Sequence, residues 1–175
     1  VVTLARIDWH KGKFNADSET QREFAGMEGW ANSYGDWINY WHLNQAATTY
    51  DDVYDEVTGE GRVYDDMRRV PVLHATHVRG ANTWNDKGFY TTDNLSAILS
   101  FQQYEQCGLV MADIDTNNYE FDRIVYDEKV FRIQEIAIRG KIVNRPIIIT
   151  INATQLKPDE LVEDQVFATM VESWQ

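Results

Sequence analysis

The sequence predicts a mainly β domain, a small barrel or sandwich with one N-terminal helix and one long acidic loop. Three observations carry that expectation. From Arg68 to Leu156 the chain is dominated by short alternating or β-branched runs. Turn formers separate those runs. Only one stretch, residues 17–43, places large apolar side chains at helical spacings.

That stretch carries Phe24, Met27, Trp30, Tyr34, Trp37, Ile38 and Trp41 at steps of three and four, predicting one long helix or two short ones. Asp17 or Ser18 is the expected cap. Gly26, Gly29 and Gly35 weaken such a helix by ~1 kcal/mol each, so packing has to help hold it. Tyr50–Asp66, YDDVYDEVTGEGRVYDD, follows with no apolar period and reads as a loop or arm. Loops of that length are usually functional or disordered.

RRVPVLHATHVRG then sets Val70, Val72, His74, Thr76 and Val78 on one expected face of a strand. NLSAILSFQQY does the same with Leu95, Ala97, Leu99 and Phe101, and GANTWNDKG between them predicts a hairpin. A short turn or helix is expected around Tyr104–Gly108. EFDRIVYDEKVFRIQEIAIRG reads as two strands about a turn at Tyr126–Lys129, and Ile147–Ile151 supplies another, with Pro146 at its start. The tail from Pro158 reads as a short helix or an extended docking segment. The chain therefore divides into a helical segment over 1–49, an acidic loop over 50–69, a β-barrel domain over 70–157 and a tail over 158–175.

At 175 residues one core is the economical expectation. A net charge of −12 argues against gripping DNA or an anionic membrane through phosphate contacts. Cys107 is the single cysteine, which excludes an intrachain disulfide and a multi-cysteine zinc site; a buried small apolar role is expected for it. VVTLARIDWHKGKF has too short an apolar run for a signal peptide, and no run reaches the ~20 residues that span a bilayer.

Several motifs are tested for chemistry. An EF-hand loop started at Asp51, Asp52 or Asp55 puts Val or Tyr where the third ligand belongs, so the acidic stretch does not fit that calcium template. His74 and His77 differ by three and fall on opposite faces of a strand; His10 and His42 are isolated. No GxSxG, GxxxxGK[ST] or HExxH motif occurs. Asp113, Asp115, Glu120, Asp122 and Asp127 offer carboxylate pairs, as any acidic chain does. No catalytic residue, metal ligand or cofactor site is therefore assigned.

Glu120–Ile142, EFDRIVYDEKVFRIQEIAIRGKI, resembles the strand pair of tailed-phage head-completion proteins of the stopper type. The family's acidic lead, strand, turn, cation and aromatic strand correspond to Asp122, Arg123, Ile124–Tyr126, Asp127–Glu128, Lys129 and Phe131–Ile136. YWHL, TTYDDVYDE, VPVLHATHVRG and LSAILSFQQYEQCGL are similar in order to the stoppers of long-tailed actinobacterial phages, over most of Asp36–Phe167.

The resemblance implies a non-enzymatic SH3-like β-barrel in the virion neck, assembled in the host cytoplasm without a cofactor. It implies a homo-oligomeric ring, a hexamer, between the portal and adaptor on one side and the tail terminator or tail tube on the other. Such a ring closes the head and leaves a channel through which DNA passes without specific binding. The helix and the Tyr50–Asp66 loop exceed the minimal stopper barrel.

Within that frame Trp30, Trp37, Trp41, Tyr50, Tyr54 and Tyr64 are the expected interface anchors, since aromatic side chains give large contact area at low entropic cost. The competing readings are an adaptor, expected to be mainly helical; a tail terminator, expected to carry two long helices after its strands; a hydrolase; and a carbohydrate-binding domain using Trp9, Trp84 and Trp174.

Overall fold

The computed structural model describes residues 15–49, 61–85, 88–157, 161, 164, 166 and 167, with backbone alone over 81–85 and 88–91. One long helix, α1 (Ala16–Tyr34), precedes a seven-stranded antiparallel sheet: β1 (Asp36–Trp41), β2 (Arg68–Val72), β3 (His74–Asn85), β4 (Gly88–Ser100), β5 (Arg123–Tyr126), β6 (Lys129–Ile142) and β7 (Arg145–Gln155). Two short helices, α2 (Phe101–Gln106) and α3 (Met111–Asp115), fill the connection from β4 to β5. The fold is mainly β.

Asn15, not Asp17 or Ser18, caps α1: its Oδ1 accepts from the Asp17 and Ser18 amides at 3.1 and 3.2 Å. The helix stops at Gly35, whose N–H donates back to Ala31 O and Trp30 O. A Cβ there would stand 2.4 Å from Val72 O, so only glycine lets the chain pass so close to β2. Trp37, Ile38 and Trp41 are therefore on a strand and not on the helix. Their spacing satisfied both periods, and burial decides between them: Ile38 and Tyr40 alternate into the core.

The strand order is β2-β1-β5-β6-β7-β4-β3. Its two ends, β2 and β3, are consecutive in sequence with Leu73 alone between them. The sheet must therefore curl until its edges meet, which makes it a small barrel. Leu73 fixes the corner by donating its N–H to Ile98 O on β4 at 2.8 Å.

The corner also inverts the side-chain alternation. Val70 and Val72 are buried, yet His74, Thr76 and Val78 are exposed, while Ala75 and His77 take the half-buried positions. The single face expected for all five residues is thus split at Leu73, because β2 pairs with β1 and β3 with β4.

The β3–β4 hairpin forms as expected, with a bulge between Val78 and Ala81. Two-residue turns at Asp127–Glu128 and Val143–Asn144, all four at positive φ, join β5 to β6 and β6 to β7. Tyr40, Leu99, Ile124, Phe131, Ile149 and their neighbours fill the barrel. A second cluster of Val125, Val130, Leu156, Leu161 and Phe167 lies beside it, against Trp41 and Tyr64.

Candidate interaction surface

Asp122, which leads into β5, is fully buried. Its Oδ2 accepts from Tyr40 Oη at 2.5 Å and meets His42 Nδ1 at 2.9 Å, while Oδ1 accepts from the Leu43 amide at 2.8 Å. Burial, followed by the Asp122 charge, pushes the Tyr40 phenol well above its ordinary range. The hydrogen bond to Asp122 raises His42 against the opposing effect of burial. This carboxylate ties the end of β1 to the start of β5.

A second network holds the base of the β3–β4 hairpin to the β5–β6 turn. His77 meets Asp93 Oδ2 through Nε2 at 2.9 Å and Asp127 through Nδ1 at 3.3 Å. Asp93 also accepts from Lys129 Nζ and from the Gly80 amide. Burial alone would raise the Asp93 carboxyl, but these hydrogen bonds outweigh it and bring it down to about 2. Arg79 reaches Asp127 at 2.5 Å and lowers that carboxyl too.

The C-terminal segment is anchored by a third network. Asp164, fully buried, accepts from Arg123 Nε at 2.8 Å, Tyr64 Oη at 2.8 Å and Arg62 Nη1 at 3.3 Å. Phe167 meets Trp41 and Tyr64 edge to face, with ring centroids 5.4 and 5.1 Å apart.

These contacts place the expected anchors in different settings. Trp30 is 55% exposed and Tyr34 77%, their rings 5.1 Å apart on the last turns of α1, with Trp30 Nε1 donating to Leu73 O at 3.2 Å. Trp37 is 38% exposed and lies under the Arg69 guanidinium, 4.7 Å from its ring centroid. Trp41 and Tyr64 are half-buried and engaged with Phe167. Tyr50 and Tyr54 lie outside the described residues, as do Trp9 and Trp174. Of the four anchors among the described residues, Trp30 and Trp37 are outward, Trp41 and Tyr64 inward.

Trp37 borders a groove of about 410 Å3 between the start of β1 and the β5–β6 turn, lined also by Asp36, Asn39, Tyr126, Asp127 and Glu128. Tyr126 Oη donates to Asp36 at 2.5 Å, and that hydrogen bond, with partial burial, raises the phenol to about 12. The groove is acidic and aromatic. Toward the far end of β6 the charge is opposite: Arg139, Lys141 and Arg145 flank the β6–β7 turn, and between Lys129 and Gln155 Glu135 is the one acid. Sequence reasoning missed this basic hairpin. Its signal was the local reversal of sign in a chain of net charge −12.

Among the described residues no group of three His, Cys, Asp or Glu side chains is placed to hold a metal, and no helix is long and apolar enough to cross a membrane. No protein-family model and no curated protein matches the chain. A solved structure described as "Virion of native gene transfer agent (GTA) particle" contains a chain similar to this one, with a TM-score of 0.40 and 9% identity, over 69% of this chain and 94% of that one.

Proposed function

We propose that this chain is a structural protein of a tailed-phage virion, a head-to-tail stopper that assembles as a ring in the neck. The observation that carries the reading is the segment Glu120–Ile142, on which the sequence resemblance rests. It forms strand, two-residue turn and strand, and its acidic lead, Asp122, is the buried carboxylate that ties β1 to β5. The motif is thus a fold-determining device, as a structural family requires.

The work of such a protein is steric and conformational. A ring of six small barrels closes the filled head, meets the portal-bound adaptor on one side and the tail terminator or tail tube on the other, and leaves a channel for DNA. A net charge of −12 per subunit suits that task, because carboxylates facing the channel repel phosphate over about 8 Å at physiological salt. The Tyr50–Asp66 arm and the exposed Trp30–Tyr34 pair are the proposed contacts to neighbouring neck components. One helix before a β-barrel favours a stopper over a helical adaptor or a terminator with two long helices after its strands.

The test is the DNA on both sides of the reading frame. Frames for a portal-sized protein, a capsid protein and a very long helical tape-measure protein are expected there. Their absence would overturn the assignment.

A further inference from the structure

The two oppositely charged surfaces sit at opposite ends of one strand. Lys129, beside the acidic groove, opens the 14-residue β6, and Ile142 closes it, on the order of 40 Å of strand away at 3.3 Å per residue. The basic tip of the β6–β7 hairpin therefore cannot fill the groove of its own chain.

Both surfaces hold charges without partners. Arg139 and Lys141 are exposed near the tip and enter no ion pair among the described residues; Arg145 is held by Asp17. In the groove, among the described residues, Glu128 is exposed without a cation, and Asp36 receives only the Tyr126 hydroxyl and the Trp37 amide. Asp127 is already matched by Arg79. Shape agrees with charge. The tip is a narrow two-residue turn with Val143 66% exposed, and the groove sets an indole and a phenol beside its carboxylates, a lining that takes the apolar stem of an Arg or Lys with its charged head. The Trp37 ring already carries one guanidinium, that of Arg69.

We infer that the β6–β7 hairpin tip of one copy, through Arg139 and Lys141, docks in the Asp36–Trp37–Glu128 groove of the next copy. The contact joins different patches of identical subunits, so it is heterologous and propagates head to tail. Such contacts close into a ring when the rotation per subunit permits and extend as a filament otherwise. The inference rests on the ring reading above and names the contact that would build it.

Charge reversal in the full chain tests it, read by sedimentation velocity at low and high salt with thermal unfolding as a check of fold. Arg139→Glu with Lys141→Glu, and separately Asp36→Lys with Glu128→Lys, should each weaken self-association by about tenfold or more. An equimolar mixture of the two variants should restore it, since each then offers the surface the other needs. Wild-type association should weaken in high salt.

Variants that associate as the wild type does, or a mixture that stays dissociated, would overturn the inference, as would a wild-type chain that remains monomeric throughout. Titration with a labelled 30-base-pair DNA at the same salt supplies the alternative occupant. DNA binding lost with Arg139→Glu and Lys141→Glu, without change in association, would assign the tip to DNA and also overturn it. The flanking frames test the neck assignment separately, so failure of the contact and failure of the function are distinguishable.

Discussion

Tyr40 on β1 and Asp122 ahead of β5 are separated by 82 residues and share a 2.5 Å O–H···O hydrogen bond out of reach of solvent. Because Asp122 also accepts from the Leu43 amide, one side chain closes the β1–β5 pairing where its backbone ladder ends at Trp41 and Arg123. Asp122→Ala strands a buried hydroxyl and a buried N–H, and should cost about 3–5 kcal/mol. Tyr40→Phe leaves the carboxylate two partners and should cost about 1–2 kcal/mol. Urea unfolding followed by tryptophan fluorescence measures both; equal small losses would remove Asp122 from this role.

His42 makes the same node depend on pH. Its folded pKa is raised by Asp122 above the unfolded value of 6.5. Its contribution to stability is then fully present below pH about 6.5 and is lost as pH rises through the folded value. The urea midpoint should fall across that interval in the wild type and lose that component of its fall in His42→Gln. A wild-type midpoint flat from pH 6 to 9 would contradict the assignment.

Much of this architecture is legible in the sequence because alternation and turn chemistry agree locally. The hairpins at Asp127–Glu128 and across β3–β4 follow from such signals. What the sequence hides is set by long-range geometry. Trp37, Ile38 and Trp41 fit a helical period until Gly35 meets Val72 O, and Val70 and His74 share an apparent face until the corner at Leu73 divides them. The same holds for the surface. Glu128 and Arg139 are 11 residues apart, and only the run of β6 between them carries the two toward opposite ends of one strand.

Arg123 and Asp164 are both almost wholly buried, which makes their 2.8 Å ion pair expensive to break from one side. Asp164→Ala leaves the Arg123 guanidinium uncompensated and should cost about 3–5 kcal/mol. Arg123→Met combined with Asp164→Leu should recover the part of that loss that comes from the stranded guanidinium, while the part from Tyr64 and Arg62, which also lose this acceptor, persists. A double-mutant cycle in urea decides. Additive costs in the cycle would show that the two side chains do not act as a pair.

Cys107 is half-buried at the end of α2, its Sγ 3.9 Å from Arg69 O, and burial raises its thiol above the ordinary value of 9.0. Less thiolate at neutral pH and restricted access both slow attack on a disulfide reagent. At pH 7.5 the folded protein should react with Ellman's reagent at least about tenfold more slowly than the urea-unfolded chain. Equal rates would place Cys107 in an open, unperturbed setting.

Trp30 and Tyr34 form an aromatic ridge whose partners among the described residues are few. Each ring packs on the other, and the Trp30 indole donates its single N–H to Leu73 O. With more than half of Trp30 and three quarters of Tyr34 open to solvent, the pair contributes little to folding, and Trp30→Ala with Tyr34→Ala should lower stability by about 1 kcal/mol. If the ridge is a neck contact, as proposed, truncation should remove large buried anchors from the assembled interface, where such side chains typically carry 2 kcal/mol or more each. The double variant should therefore fold and yet fail to join filled heads to tails in an extract-complementation assay scored by infectious particles. A normal particle yield from the folded variant would show that this ridge faces solvent in the virion as well, and would move the proposed contact elsewhere on the barrel.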